Sequence, residues 1–177
     1  KDIPTALDQL HPTRTIIFDD TEEILYVARG SEQNLDEDDF FARIRRYNLT
    51  ELPEGGFPWE DGEIVATGVR NTVGMGFDKF GVLWGVDNGA DSAFRVDLGG
   101  DINEDNPADE LNRFAEMGKF FGYPYCFTEF ILPDFGMGTG TQWHWGNLTE
   151  PYTDEWCRDP SNNTIPEVAL LAHSAPL

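Results

Sequence analysis

Residues 17–27, IFDDTEEILYV, and residues 76–85, GFDKFGVLWG, are two copies of one strand–turn–strand unit. Each copy has a β-prone run that ends on an aromatic residue, then an Asp-initiated turn, then a second β-prone run. Recurrence of such units after 58 to 59 residues is typical of the blades of a β-propeller, whose repeats run from about 40 residues upward with insertions. Two ordinary hairpins that share a common turn are the alternative. The propeller is favoured because the aromatic residue and the Asp recur together.

Further β-prone runs lie at residues 43–49 and 62–69, and no segment before residue 107 shows a sustained helical period. The sequence therefore predicts an all-β fold. At this repeat length, 177 residues make roughly three blades, whereas a closed propeller needs at least about four. We therefore expect residues 1–177 to be the central part of one β-propeller domain, with the rest of the ring in a longer parent chain. The first residue, Lys1 rather than Met, agrees with that expectation.

The pattern of β-prone runs separated by turns ends after residue 107. Residues 107–118 fit either a short helical turn or a loop that leads into a strand at residues 111–114. Residues 118–160 are rich in Gly, Pro and aromatic residues and predict a long ordered surface excursion, often a functional kind of loop. The two cysteines, Cys126 and Cys157, can form one bridge that pins this excursion.

Charge and cysteine content limit the classes of function. The chain has 12 Lys and Arg against 33 Asp and Glu, a formal charge of −21, which argues against binding to nucleic acid or to an anionic membrane. No apolar run approaches the roughly 18 residues that a membrane span needs. Sequons at Asn48, Asn147 and Asn162, together with the even cysteine count, favour a secreted glycoprotein.

Three sites could carry chemistry. His11 stands just before the first strand and alone is more often a hydrogen-bonded loop residue than a base. Arg70 and Asn71 lie between two strands, where a guanidinium beside an amide suits a carboxylated or quinoid ligand; pairing of Arg70 with a nearby Asp is at least as probable from the residues alone. Residues 87–91, DNGAD, offer oxygen ligands around a glycine, which suit Ca²⁺, although an Asx turn has the same composition.

As an ordered set, these motifs resemble one known family. The segments are residues 11–14 (HPTR), 68–78 (GVRNTVGMGFD), 81–84 (GVLW), 87–89 (DNG), 109–112 (DELN) and 121–126 (FGYPYC). They resemble the glucose/sorbosone dehydrogenase family, the soluble sugar dehydrogenases that depend on pyrroloquinoline quinone (PQQ) and form six-bladed β-propellers. The closest likeness is to the eukaryotic pyranose dehydrogenase branch. The likeness extends from residue 11 to residue 177.

The resemblance implies a role for each matching residue. His11 would be the general base that takes the proton of the sugar's anomeric hydroxyl. Arg70 and Asn71 would contact PQQ, with the guanidinium facing the carboxylates and quinone oxygen of the cofactor. The backbone carbonyls of Gly89 and Ala90 would bind the Ca²⁺ that polarises the quinone.

His173 falls in a segment that lines the mouth of the cofactor site in the family. The implied partners are a sugar substrate, an electron acceptor such as a cytochrome domain, and the remaining blades. A rival hypothesis is a catalytically inactive extracellular propeller that serves as a binding, adhesion or assembly module. The inactive form would hold Arg70 against a local acid with His11 turned away from it, whereas an enzyme would bring His11, Arg70, Asn71 and the Gly89 carbonyl to one opening.

Overall fold

The computed structural model describes residues 10–38, 40–146 and 151–172. In chain order the strands are β1 (Arg14–Phe18), β2 (Ile24–Arg29), β3 (Arg43–Asn48), β4 (Glu63–Thr67), β5 (Thr72–Phe77), β6 (Leu83–Asp87), β7 (Phe94–Arg95), β8 (Gly100–Asp101), β9 (Asp109–Phe114), β10 (Lys119–Phe120), β11 (Cys126–Thr128), β12 (Gln142–His144) and β13 (Val168–Leu170). Within the described residues the one α-helix is α1 (Asp154–Arg158), and single 3-10 turns occupy Leu49–Glu51, Trp59–Asp61 and Val96–Leu98. The all-β prediction is confirmed. None of the helices in these three ranges is long and apolar enough to cross a membrane.

Within the described residues the strands form two blade-sized sheets and two small two-stranded ones, β7-β8 and β11-β12. The first has the order β1-β2-β3-β4-β10 and the second the order β5-β6-β9-β13. All pairs are antiparallel except β4 with β10. The repeat length predicted about three blades for 177 residues, and the described residues form two blade-sized sheets. The difference arises because the excursion at residues 118–160 contributes β10 to the first sheet and pairs β11 with β12 in a small sheet of its own, before β13 joins the second sheet.

The repeated unit is the first hairpin of each sheet. The Asp19 carboxylate accepts a hydrogen bond from the backbone N–H of Ile24 at 2.9 Å, and the Asp78 carboxylate accepts one from the N–H of Val82 at 3.0 Å. Each Asp therefore closes its turn in the same way. The repeat that the sequence showed is thus a repeat in the structure.

The two sheets pack against each other through an apolar core. The ring centroids of Tyr26 and Phe77 are 5.4 Å apart in an edge-to-face arrangement across the interface. The Thr15 hydroxyl donates to the Thr72 carbonyl at 2.7 Å, which ties β1 to β5. The buried residues of this core are Ala28, Ile44, Val65, Ala66, Val69, Leu83, Phe114 and Phe121.

The excursion is the second packing unit. Cys126 and Cys157 form the expected disulfide, with a Cα–Cα distance of 5.7 Å. Before the excursion, β9 confirms the strand alternative for residues 111–114 and begins two residues earlier. The apolar side chains of the excursion pack in one cluster with Ala42 and with the loop after β6; the buried members are Ala42, Ala90, Ala93, Leu98, Ile102, Tyr123, Phe127, Leu132, Trp143 and Trp145.

Candidate functional site

The candidate site lies where loops from one end of both sheets meet. Gly30, immediately after β2, marks the point of closest approach. A Cβ placed on Gly30 would lie 2.8 Å from His11 Cβ and 3.0 Å from Asn71 Oδ1, so only glycine fits here. The segment before β1 and the segment before β5 therefore bring His11 and Asn71 together.

His11 is buried, with 9% of its surface exposed. Its Nδ1 lies 3.0 Å from the Ser31 carbonyl oxygen and 3.2 Å from Ser31 Oγ. The backbone N–H of Ser31 in turn donates to the Arg70 carbonyl at 2.9 Å. Ser31 thus joins the histidine to the Arg70 segment. Nothing in the sequence marked this serine.

The Arg70 guanidinium lies in a cage of oxygens, and its side chain is 3% exposed. Nη1 donates to the Gly89 carbonyl at 2.5 Å and more weakly to the Asn88 carbonyl at 3.5 Å. Nε donates to the Asn34 carbonyl at 3.2 Å, and Nη2 donates to Asn34 Oδ1 at 2.9 Å and to Asp91 Oδ2 at 3.3 Å. All of its N–H groups therefore face acceptors of the protein.

Asn34 holds this cage together, and the sequence did not single it out. Its side chain pairs with both backbone groups of Asp91: Nδ2 donates to the carbonyl and Oδ1 accepts from the N–H, each at 2.7 Å. The Asn34 carbonyl also accepts from the Tyr123 hydroxyl at 3.1 Å. The loop after β2, the loop after β6 and the excursion therefore meet at Asn34, through its side chain and its backbone carbonyl.

A buried carboxylate sets the backbone conformation of the Arg70–Asn71 pair. Asp87, at the end of β6, accepts from the N–H of Arg70 at 2.7 Å, from the N–H of Asn71 at 2.8 Å and from the Thr72 hydroxyl at 3.1 Å. Burial, with a smaller contribution from the nearby carboxyl of Glu110, raises the pKa of Asp87 to about 7 against the lowering effect of these hydrogen bonds. Glu110 is its cross-strand partner on β9.

Gly89 is closely confined. Its N–H donates to Asp109 Oδ1 at 2.9 Å, and a Cβ on it would lie 2.8 Å from the Ala108 carbonyl oxygen. The next residue, Ala90, buries its side chain in the excursion's apolar cluster.

The chemistry of these groups fits the two implied ligands. Carbonyl and carboxylate oxygens of the kind around Arg70 are what Ca²⁺ prefers, and a guanidinium suits a polycarboxylate. In the observed arrangement, however, the Gly89 carbonyl and the guanidinium bond to each other. No cluster of three or more His, Cys, Asp or Glu side chains that could hold a metal occurs within the described ranges, so a metal here would depend on backbone carbonyls.

Several sequence-predicted residues come together. His11 and Asn71 both approach Gly30, and Arg70 bonds the Gly89 carbonyl, so these residues meet in two pairs that Ser31 links. Arg70 also pairs with an acid, Asp91, as expected of an inactive propeller. His173 and Asn147 lie outside the described residues.

Comparisons with known proteins agree with this fold. A family profile described as TrAA12-like matches residues 1–177. The chain is 30% identical over 183 residues to the pyrroloquinoline quinone-dependent pyranose dehydrogenase of Coprinopsis cinerea, covering 94% of this chain and 25% of that protein. The chain thus spans about a quarter of the length of this curated relative.

Two solved structures are similar over almost the whole chain. The holo form of the pyranose dehydrogenase PQQ domain from Coprinopsis cinerea has a TM-score of 0.83 and 30% identity, covering 95% of this chain and 44% of that one. The calcium structure of Trichoderma reesei carbohydrate-active enzyme family AA12 has a TM-score of 0.84 and 30% identity, covering 94% and 45%. With a profile that matches every residue, the chain belongs to the TrAA12-like family.

Proposed function

We propose that the protein containing this chain is a PQQ- and Ca²⁺-dependent sugar dehydrogenase, and that residues 1–177 are the central part of its propeller. The observation that carries this proposal is the convergence of His11, Arg70, Asn71 and the Gly89 carbonyl at one end of two adjacent sheets. Similarity to a PQQ domain and to a calcium-bound family member supports the choice of cofactor and metal.

When bound, PQQ would supply the two-electron oxidant for this function, by taking one hydride from the anomeric carbon of the sugar. His11 takes the proton of the anomeric hydroxyl, for which an imidazole with a pKa near neutrality is suited. Asn71, together with His11, flanks Gly30 on the side where a Cβ would lie, and its amide can donate to the bound cofactor or sugar. Arg70 supplies positive charge beside the cofactor's carboxylates. To do so, its guanidinium exchanges protein acceptors for ligand oxygens, which also releases the Gly89 carbonyl as a metal ligand, with Ala90 next to it.

The first sheet supports the proposal that more blades complete the ring. Ile16 and Phe18, on the face of β1 turned away from the second sheet, are 57% and 45% exposed. Burial of such side chains by a neighbouring blade would be favourable at about 25 cal/mol per Å² of apolar surface. The full-length protein is the chain together with those blades.

We further propose that the full-length protein is secreted, because the disulfide requires an oxidising compartment. The sequon at Asn48 ends β3, and the Asn48 side chain accepts hydrogen bonds from the N–H and hydroxyl of Thr50. The Asn162 amide donates to the Trp156 carbonyl at 3.4 Å. Glycans at these two asparagines would appear as a mass shift on glycosidase treatment. A cytochrome domain or another one-electron carrier is the expected electron acceptor.

The test is reconstitution of the full-length protein with PQQ and Ca²⁺, followed by an aldose and an artificial electron acceptor. We expect saturable turnover that falls by about 10²- to 10⁴-fold in His11→Ala. The matched control is Arg113→Ala, an exposed arginine near Trp84 on the second sheet, which leaves turnover unchanged. Failure of the wild-type protein to turn over at saturating cofactor would refute the proposal.

A non-catalytic binding module is the second candidate. The Arg70–Asp91 ion pair at 3.3 Å favours it, because an arginine whose N–H groups are all bonded within the protein serves to organise loops. In that case Arg70→Ala would unfold the loops, and the wild-type protein would bind no PQQ.

A further inference from the structure

Two oxygens of one residue face the same nitrogen of His11. The Ser31 carbonyl oxygen lies 3.0 Å from Nδ1 and Ser31 Oγ lies 3.2 Å from it. Ser31 is fully buried. Its hydroxyl also donates to the Gln33 carbonyl at 2.7 Å.

The positions of the hydrogens follow from what each group can do. A carbonyl oxygen can only accept a hydrogen bond. The Ser31 hydroxyl has a single hydrogen, and the Gln33 carbonyl, which can only accept, takes it. Ser31 Oγ therefore presents lone pairs to His11, and both oxygens near Nδ1 are acceptors.

The neutral imidazole consequently carries its hydrogen on Nδ1. The opposite tautomer would direct the Nδ1 lone pair at two oxygen lone pairs within a buried site, where unsatisfied polar groups are expensive. With Nδ1 protonated, the lone pair of the ring lies on Nε2.

We propose that Ser31 is a positioning residue that holds His11 in the Nδ1–H tautomer, so that Nε2 is the atom that accepts the proton of the sugar hydroxyl. The role of Nε2 rests on the proposed function, whereas the tautomer rests on the contacts of His11 Nδ1 with Ser31. Ser31 also donates its N–H to the Arg70 carbonyl at 2.9 Å, so the orientation of the base is tied to the segment that carries the proposed cofactor contacts.

The direct test is the ¹⁵N NMR spectrum of the ¹⁵N-histidine-labelled full-length protein, at a pH where His11 is neutral. The signals of His11 are identified by their loss in His11→Asn. We expect the chemical shifts of an Nδ1–H tautomer. A spectrum with the hydrogen on Nε2 would overturn the proposal, whether or not the protein oxidises sugars.

Two isosteric variants test the same hydrogen bond through stability. The amide nitrogen of Asn overlays Nδ1 of His, whereas that of Gln overlays Nε2. His11→Asn therefore keeps the bond to Ser31 and His11→Gln loses it. We expect a lower melting temperature for the Gln variant than for the Asn variant, with turnover absent in both. The reverse order of melting temperatures would contradict the assignment.

Ser31→Ala separates positioning from mere structural support. The variant keeps the carbonyl acceptor and removes Oγ, so the Nε2–H tautomer becomes more populated. We expect a severalfold lower kcat, an unchanged KM and an ¹⁵N spectrum shifted toward the second tautomer. An unchanged tautomer ratio would reject the role of Oγ. Absence of wild-type turnover would reject the proposed function instead, and the spectrum would still decide the tautomer.

Discussion

The two sheets and the excursion are held together by different kinds of interaction. The sheets share a continuous apolar core and cross-strand pairing. The excursion is held by the disulfide, by the buried carboxylate of Glu129 and by the ion pair of Asp154 with Arg95 of β7, and its apolar side chains share a cluster with the loop after β6. Both regions reach the candidate site, because the sheets supply its loops and Tyr123 of the excursion bonds Asn34. We therefore expect that a change in the excursion weakens the site without unfolding the sheets.

Removal of the disulfide should have the largest effect on the excursion. Cys126 and Cys157 are 31 residues apart, and a loop of this length predicts a loss of about 3 to 4 kcal/mol in the free energy of unfolding for the double Ser variant. Hydrogen exchange should accelerate in β11 and β12 while the amides of β6 and β9 stay protected. Equal acceleration in the sheets would show that the two regions unfold as one.

Glu129→Gln should have the next largest effect. The Glu129 carboxylate, 2% exposed, accepts from the N–H groups of Met137 and Gly138 at 3.0 Å and from the Trp143 indole at 2.9 Å. An amide NH₂ would face one of these donors, at a loss of about 2 kcal/mol. The indole fluorescence of Trp143 should shift as the loop loosens.

The matched control is Glu116→Gln, which removes only an exposed pair with Lys119. Its free energy of unfolding should change by less than about 1 kcal/mol. A similar loss in both variants would mean that the Glu129 bonds do not stabilise the loop.

Gly30→Ala tests the close packing of Gly30 against His11 and Asn71 in the loops at the end of the sheets. The new methyl group would contact His11 and Asn71 at 3.0 Å or less, and we expect a loss of about 1 to 3 kcal/mol with weaker PQQ binding. Gly76→Ala on β5 is the control, because its Cβ would meet no atom within 4 Å. Equal melting temperatures for the two variants would show that the Gly30 contact is not tight.

Glu110→Gln should have the smallest effect and the opposite sign. Burial raises the pKa of Glu110, against hydrogen bonds from Thr128 and Asn112. A folded-state pKa above the unfolded value means that the wild-type protein loses stability as the pH rises from the unfolded pKa through the folded one. The Gln variant avoids that loss, and its amide can pair with Asn112 Oδ1, which accepts no hydrogen bond within the described residues.

We therefore expect Glu110→Gln to be more stable than wild type at neutral pH, where the raised folded-state pKa costs the wild-type protein stability. The advantage should disappear near pH 4, where both side chains are neutral. Urea unfolding at the two pH values measures it, and an advantage that persists at low pH would rule out a titration effect.

The hairpins were predictable because their signals are local. Asp19 and Asp78 each bond backbone groups within five residues, so a short stretch of sequence is enough to predict each turn. The excursion was predictable only as a loop, since Arg95 reaches Asp154 across 59 residues. Arg70 and Asn71 were recognisable from their motif, but Ser31 and Asn34 were not, because their roles arise from contacts that exist only after the loops have met.

If Arg70 and its neighbours form a quinone site, an absorbance titration of the full-length protein with PQQ at saturating Ca²⁺ should show saturable binding. We expect the affinity to fall by about 10- to 100-fold in Arg70→Ala, because one charge-assisted hydrogen bond is lost. The titration curve of Arg113→Ala should be unchanged. Equal binding by wild type and Arg70→Ala, or no binding by either, would contradict a quinone site at Arg70.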